Sequence, residues 1–289
     1  MMRGEAHLLS DGRRLHLHDG PIDLIIGADG PLQEVARAYG AARARFSTIL
    51  DELCAELKLL RQPTGLKPKG VVARRMWRAT LAHSERNFIT PMAAVAGAVA
   101  EEVIAAMVAA ADLNRAYVNN GGDIALHLSP TGEFQIGLID RPDHPSLFAK
   151  SRIRSTDPVR GVATSGWRGR SFSLGIADAV TVLADTASAA DAAATIIANA
   201  VDLPGHPAIT RIPAVELQPD SDLGSRLVTQ AVGALSPGEI ATALKAGLKS
   251  AQAMIEEGTI VACALHLAGS TRIVGSARHE DANSLALHA

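Results

Sequence analysis

The stretch that most constrains this chain is Met92 to Ala111, its longest apolar run. Thr90-Pro91 ahead of it reads as a helix start, with Thr at the N-cap and Pro at the first helical position. By length alone such a run passes for a membrane span. Glu101 and Glu102 stand at its centre, however, and bare charge is costly in lipid. The expectation is a buried or half-buried helix of a soluble protein, with no membrane partner. Ala93, Gly97 and Ala100 recur three or four residues apart, a small-residue stripe that lets another backbone or a flat ligand come close.

The rest of the chain suits such a helix. Of 289 residues, 47% are hydrophobic, much of that alanine, and 20% are charged, a globular balance. A formal net charge of -2 gives no electrostatic reason to expect nucleic acid as a partner. Aromatics at 3% leave few platforms on which bases stack. Cys54 and Cys263 match no metal or redox spacing and read as small core hydrophobes. Met1 to His18 holds no long apolar segment, so the expected compartment is the cytoplasm.

Hydrophobic patterning predicts antiparallel strands with helices grouped between them, hence an α+β fold. A hairpin is expected over Arg14–His18 and Ile22–Ile26, then a helix from Pro31 to about Leu60. Val71 to Leu81 is basic and ambiguous. Strands follow at 115–118, 124–128, 133–139, about 150–155, 162–165 and 179–184. The next helix is expected over 189–201. Ser221-Asp222 is read as opening another helix to about Leu235, and Ser236 to Glu239 as a capping box for one ending near Gly258. A hairpin around Ala268-Gly269 closes the pattern, and a polar tail runs from Arg278.

Several segments suit chemistry. Asp191 and Thr195 lie one helical turn apart; a carboxylate and a hydroxyl near a helix start suit a hard cation such as Mg²⁺. Ser188 to Asp191 equally fits a capping box, with the acid favoured by the helix dipole. Asn119-Asn120-Gly121-Gly122-Asp123 is a turn whose glycines allow positive φ, so its amides can converge on an anion or simply close a hairpin. Thr164 to Ser171 gathers hydroxyls, arginines and glycines that suit phosphate or solvent. Asp178 is read as a second carboxylate near Asp191. His16 and His18 share a strand face but lack further zinc ligands nearby, and Arg74, Arg75 and Arg78 read as a solvated basic face.

Taken in order, Pro91 to Glu101, Tyr117 to Asp123, Ala163 to Gly166, Ala179 to Val182 and Ala190 to Thr195 resemble the ApbE-like superfamily, whose best-known members are FAD:protein FMN transferases. The core of the resemblance covers about residues 85–202. A C-terminal extension over about 205–275 belongs to the same single domain, and 276–289 form its tail. The chain is most similar to a soluble branch distinct from the transferases, and there the resemblance includes Arg211 to Gly224. It implies a T-fold with antiparallel sheets and Ala-rich helices. It also implies Mg²⁺ at Asp191 and Thr195, and FAD or another flavin nucleotide at Gly121, Gly122 and Asp123. Asn120, Thr164, Ser165, Gly166, Met92 and Gly97 are further cofactor-binding candidates, and Asp178 and Asp191 are catalytic ones.

Two departures accompany the match. Where the transferases carry Lys-Gly this chain has Ala96-Gly97, and Ser173 to Asp178 replaces their His-x-x-Asp-Pro-x-Thr-Gly segment. Three classes follow as alternatives: a Mg²⁺-dependent nucleotidyl or FMN transferase; a flavin, pterin or purine binding protein that keeps the pocket without the chemistry; and an assembly partner using Ala-rich helices. A homodimer with a small-molecule ligand is the expected working form.

Overall fold

The computed structural model describes residues 4–139, 147–275 and 279–281. In chain order the elements are β1 (Glu5–Leu8), β2 (Leu15–Asp19), β3 (Ile22–Asp29), α1 (Leu32–Ala55), α2 (Leu57–Leu60), α3 (Val71–Leu81), a 3-10 turn (Pro91–Ala94), α4 (Val95–Ala110), β4 (Arg115–Asn120), β5 (Asp123–Leu128), β6 (Glu133–Ile139) and β7 (Leu147–Arg154). Then come β8 (Gly161–Ser165), β9 (Ala179–Ala184), α5 (Ala187–Ala200), β10 (Ile209–Pro213), α6 (Ala214–Leu217), β11 (Leu227–Val232), α7 (Pro237–Glu256), β12 (Ala262–Leu267), β13 (Ser270–Gly275) and β14 (His279–Asp281). They form two compact units. One is Met1–Glu133, Arg154–Ala163 and Ala184–Ala192; the other is Phe134–Ile153, Thr164–Leu183 and Ala193–Ala289.

In the first unit β1 to β5 pair antiparallel, each with the next, and α1 to α4 lie between β3 and β4 in the chain. Alternation sets the faces. Leu15, Leu17, Ile22, Leu24 and Ile26 point inward, as strand periodicity requires. α1 buries Ala38, Ala42, Phe46, Ile49 and Leu53, a helical stripe. It stops short of the expected Leu60 because the helix breaks at Glu56, whose carboxylate accepts from the Lys69 and Gly70 amides at 2.7 and 2.6 Å. Cys54, one residue past the buried stripe, is exposed, which corrects its reading as a core residue, whereas Cys263 is buried. α1, α3, β4 and β5 all pack on α4.

By length and composition Pro91–Ala110 is long and apolar enough to cross a membrane, but half of its most apolar window is buried inside the protein. Gly97, Val99, Ala100, Val103 and Met107 lie in the core, so the stretch behaves as the central helix of this unit. Its first turn is 3-10, and Thr90 makes no side-chain capping bond.

In the second unit β12 lies between β9 and β13, antiparallel to both, and α7 packs on β12 and β13. The hairpin at Ala268-Gly269 forms as expected, with both residues at positive φ. So does the capping box, Ser236 and Glu239 each bonding the other's backbone N–H. The helix expected up to Leu235 is instead β11, paired with β10, a strand the patterning did not show. β7 pairs with β14, so part of the polar tail is a strand; its other residues lie outside those described.

Candidate functional site

The site grows from the contact between α4 and the start of α5. Gly97 is required there. A Cβ on it would drive into the Ala187 carbonyl and the Ser188 nitrogen, backbone atoms with no freedom to yield. The small-residue stripe is therefore used for backbone-on-backbone packing. At this distance the Gly97 N–H donates to Asp191 Oδ2 at 3.0 Å. In the other direction the Ser188 N–H donates to Glu101 Oε1 at 2.6 Å. The capping box expected inside Ser188–Asp191 does not form, because α5 begins at Ala187. Thr186 Oγ1 accepts from the Ala189 N–H at 3.3 Å, and Glu101 serves the Ser188 amide.

The β4–β5 turn reaches the same place. Gly121 and Gly122 have φ of 65° and 114°, the positive values a two-residue hairpin turn demands. Asn119 Oδ1 accepts from the Gly122 N–H at 2.8 Å, and the buried Asn120 amide donates to the Ala96 carbonyl at 3.2 Å. Asn120 thus ties the turn to α4 one residue before Gly97. Asp123, across the turn, is close enough for its charge to act on Asp191.

Asp191 is half-buried, yet enough protein surrounds it that desolvation is the largest influence on its acidity. Burial pushes its carboxyl well above the usual carboxylate range, Asp123 pushes it further, amides of Gly97 and Ala96 oppose, and Glu101 adds a smaller upward push. No guanidinium or ammonium is among its hydrogen-bond partners among the described residues. Such a carboxylate suits a hard cation. Mg²⁺ keeps several waters and takes one or two carboxylates together with phosphate oxygens. Asp191 fits that role; Thr195, the other sequence candidate for the metal, belongs to the second unit. An all-protein cage is absent: among the described residues no group of three or more His, Cys, Asp or Glu side chains is placed to hold a metal.

Glu101 and Glu102 find partners rather than solvent. Arg75 reaches Glu101 and Glu102, each at 3.1 Å, and Arg45 joins Glu102 at 2.8 Å and Glu52 at 2.7 Å. The basic segment is thus the helix α3, and its Arg75 is an internal counter-ion instead of part of a solvated face. Sequence reading missed this row. The available signal was two acids in an apolar helix, which demand cations from elsewhere. His16 contacts Asp23 at 2.9 Å and His7 at 3.3 Å.

The remaining sequence candidates belong to the second unit. Asp178 is buried, with Oδ1 accepting from Arg168 at 2.6 Å and from the Trp167 indole at 3.1 Å. Its Oδ2 accepts from the Ala268 N–H at 2.7 Å. Arg168 also lies over the Trp167 ring, 4.3 Å from its centroid. A Cβ on Gly166 would meet the Asp178 carbonyl. Thr164 and Thr181 share a hydroxyl hydrogen bond of 2.9 Å, and Ser165 is half-buried beside them in sequence. Of the candidates, then, Asn120, Gly121, Gly122, Asp123, Gly97 and Asp191 converge within the first unit. Met92 lies on the 3-10 turn before α4.

With this geometry established, a family model described as AbpE bacteria matches residues 6–273, and the chain belongs to that family. It is 43% identical over 130 residues to a UPF0280 protein of Methanopyrus kandleri, covering 44% of this chain and 48% of that one. A UPF0280 protein of Methanococcoides burtonii is 40% identical over 127 residues, 41% of this chain and 48% of the relative. The match thus spans about half the length of these curated relatives. The apo crystal structure of the flavinyl transferase ApbE of Pseudomonas stutzeri aligns over 95% of this chain and 94% of its own, at 14% identity and a TM-score of 0.43.

Proposed function

We propose that this chain binds a phosphate-bearing nucleotide, a flavin nucleotide first among them, together with Mg²⁺ at Asp191. The observation that carries the reading is a carboxylate set among other carboxylates and supported by backbone amides, beside a glycine turn with open space at Gly122. The resemblance of these segments to FAD:protein FMN transferases supports the choice of nucleotide. Asp191 holds the cation, and Gly121, Gly122 and Asp123 face the ligand. Asn120 and Gly97 fix the frame on which both rest. Bound Mg²⁺ would neutralise phosphate charge. Asp178, with both oxygens already engaged, serves the fold of its own unit.

The test is a thermal-shift and calorimetric panel of FAD, FMN, ADP and a pterin, with and without Mg²⁺. A ligand at a hundred times its Kd stabilises by about 2.7 kcal/mol. A flavin nucleotide should shift the midpoint only with Mg²⁺ present, and Asp191→Ala should abolish the shift. A flat panel, or a shift that Asp191→Ala leaves unchanged, sinks the reading. Following FMN and AMP released from FAD then separates a transferase from a binding protein. The Ala96 and Ser173–Asp178 departures favour the binding protein.

A further inference from the structure

We infer that Glu101 is a positioning residue for Asp191, acting across the α4–α5 contact rather than on any ligand. The two helices exchange amides and carboxylates reciprocally. Gly97 of α4 donates to Asp191 of α5, and Ser188 of α5 donates to Glu101 of α4. On α4 the donor and acceptor are four residues apart; on α5 they are three apart. Both pairs therefore lie on the facing sides of the helices. Glu101 is nearly buried, and its second oxygen is held by Arg75, so it cannot swing away from the Ser188 amide. A carboxylate at that amide also meets the positive end of the α5 dipole. Each bond resists sliding of the start of α5 along α4, so loss of one weakens the other. Glu101 thereby sets where the Asp191 carboxylate sits.

The inference rests on the reading of Asp191 as the cation holder, and its test keeps the two apart. Amide hydrogen exchange in the metal-free full chain is compared for wild type and Glu101→Gln. The Ser188 amide should exchange faster simply because it loses a charged acceptor. The deciding amide is Gly97, which bonds Asp191 and not Glu101; it should accelerate by about tenfold, the loss of roughly one hydrogen bond. Mg²⁺ affinity by calorimetry should fall by about 10–100-fold, as for other groups that orient a ligand. Arg75→Met, at a half-exposed position, should move Gly97 in the same direction and serves if Glu101→Gln does not fold. Arg45→Met, further along the ion-pair row, should leave Gly97 within about twofold of wild type. Acceleration confined to Ser188, or equal acceleration in Arg45→Met, overturns the positioning role. A wild type that binds no Mg²⁺ while Gly97 responds as expected sinks the cation reading and leaves the positioning role standing.

Discussion

Asp178 in the second unit is held by a guanidinium, an indole N–H and a backbone N–H. Asp191 in the first is held by backbone amides and is crowded by Asp123 and Glu101. Sequence named both as catalytic candidates. The structure separates them by what compensates the charge. A buried carboxylate with a cation and satisfied lone pairs has a finished environment, and its removal harms the fold. A carboxylate raised by burial and by like charges is held at a cost that a bound cation would relieve, which is how functional groups are commonly marked.

The largest effect is expected where the finished environment is broken. Asp178→Ala leaves Arg168 without its carboxylate partner and Ala268 N–H without an acceptor, and should cost about 3–5 kcal/mol by urea denaturation. Gly97→Ala comes next. Its methyl must displace the Ala187 carbonyl, so a loss of about 1–3 kcal/mol is expected, together with loss of any Mg²⁺ response. A Gly97→Ala protein with wild-type stability would show that the helices separate freely and that Asp191 is not fixed by them.

Opposite signs give the sharpest contrast. Asp191→Asn should raise the melting temperature of the metal-free protein, because the neutral amide still accepts from Gly97 without the charge that burial and Asp123 penalise. Asp178→Asn should lower it. The pH dependence follows from the raised pKa of Asp191. Above the ordinary carboxylate range the folded chain holds a proton that the unfolded chain has released, so metal-free stability falls as pH rises through the raised value. Asp191→Asn should flatten that slope. A slope that survives the substitution belongs to other groups.

The smallest effect belongs to a surface acid that calibrates both. Glu239 caps α7 and meets His206 at 2.8 Å, and these hydrogen bonds lower its carboxyl to about 2. Its contribution is present above the ordinary Glu value and is lost as pH falls through about 2. Glu239→Gln should remove only that acid-limb component and leave Mg²⁺ binding untouched.

Much of this was legible in the residues. The central helix, the positive-φ turn at Gly121-Gly122, the capping box at Ser236 and the closing hairpin follow from local patterns. What escaped detection depends on distant partners. α5 starts two residues before the expected Ala189 because its first amides are served by Thr186 and by Glu101, and a capping rule reads only three residues ahead. β11 was read as helix because Ser221-Asp222 looked like a helix start, and the strand carries no clean alternation to oppose it: Val228 and Thr229 are buried in succession, next to a register shift between Thr210 and Arg211 in its partner. The Asp178 staple was missed because Trp167 and Arg168 looked like a phosphate loop until Ala268 completed the set.

The row of ion pairs through α1, α3 and α4 has a consequence for the order of events at the site. Its members are Glu52, Arg45, Glu102, Arg75 and Glu101, acidic at both ends, so the row cannot neutralise itself. Glu101, one end of the row, acts on Asp191 with the same sign as Asp123. A polyphosphate arriving alone is repelled, and a divalent cation arriving alone is attracted. Each then improves the affinity of the other by the same factor, as linkage requires. The two ligands of the proposed site are thus expected to behave as one salt, and neither affinity has a meaning unless the concentration of the other is stated.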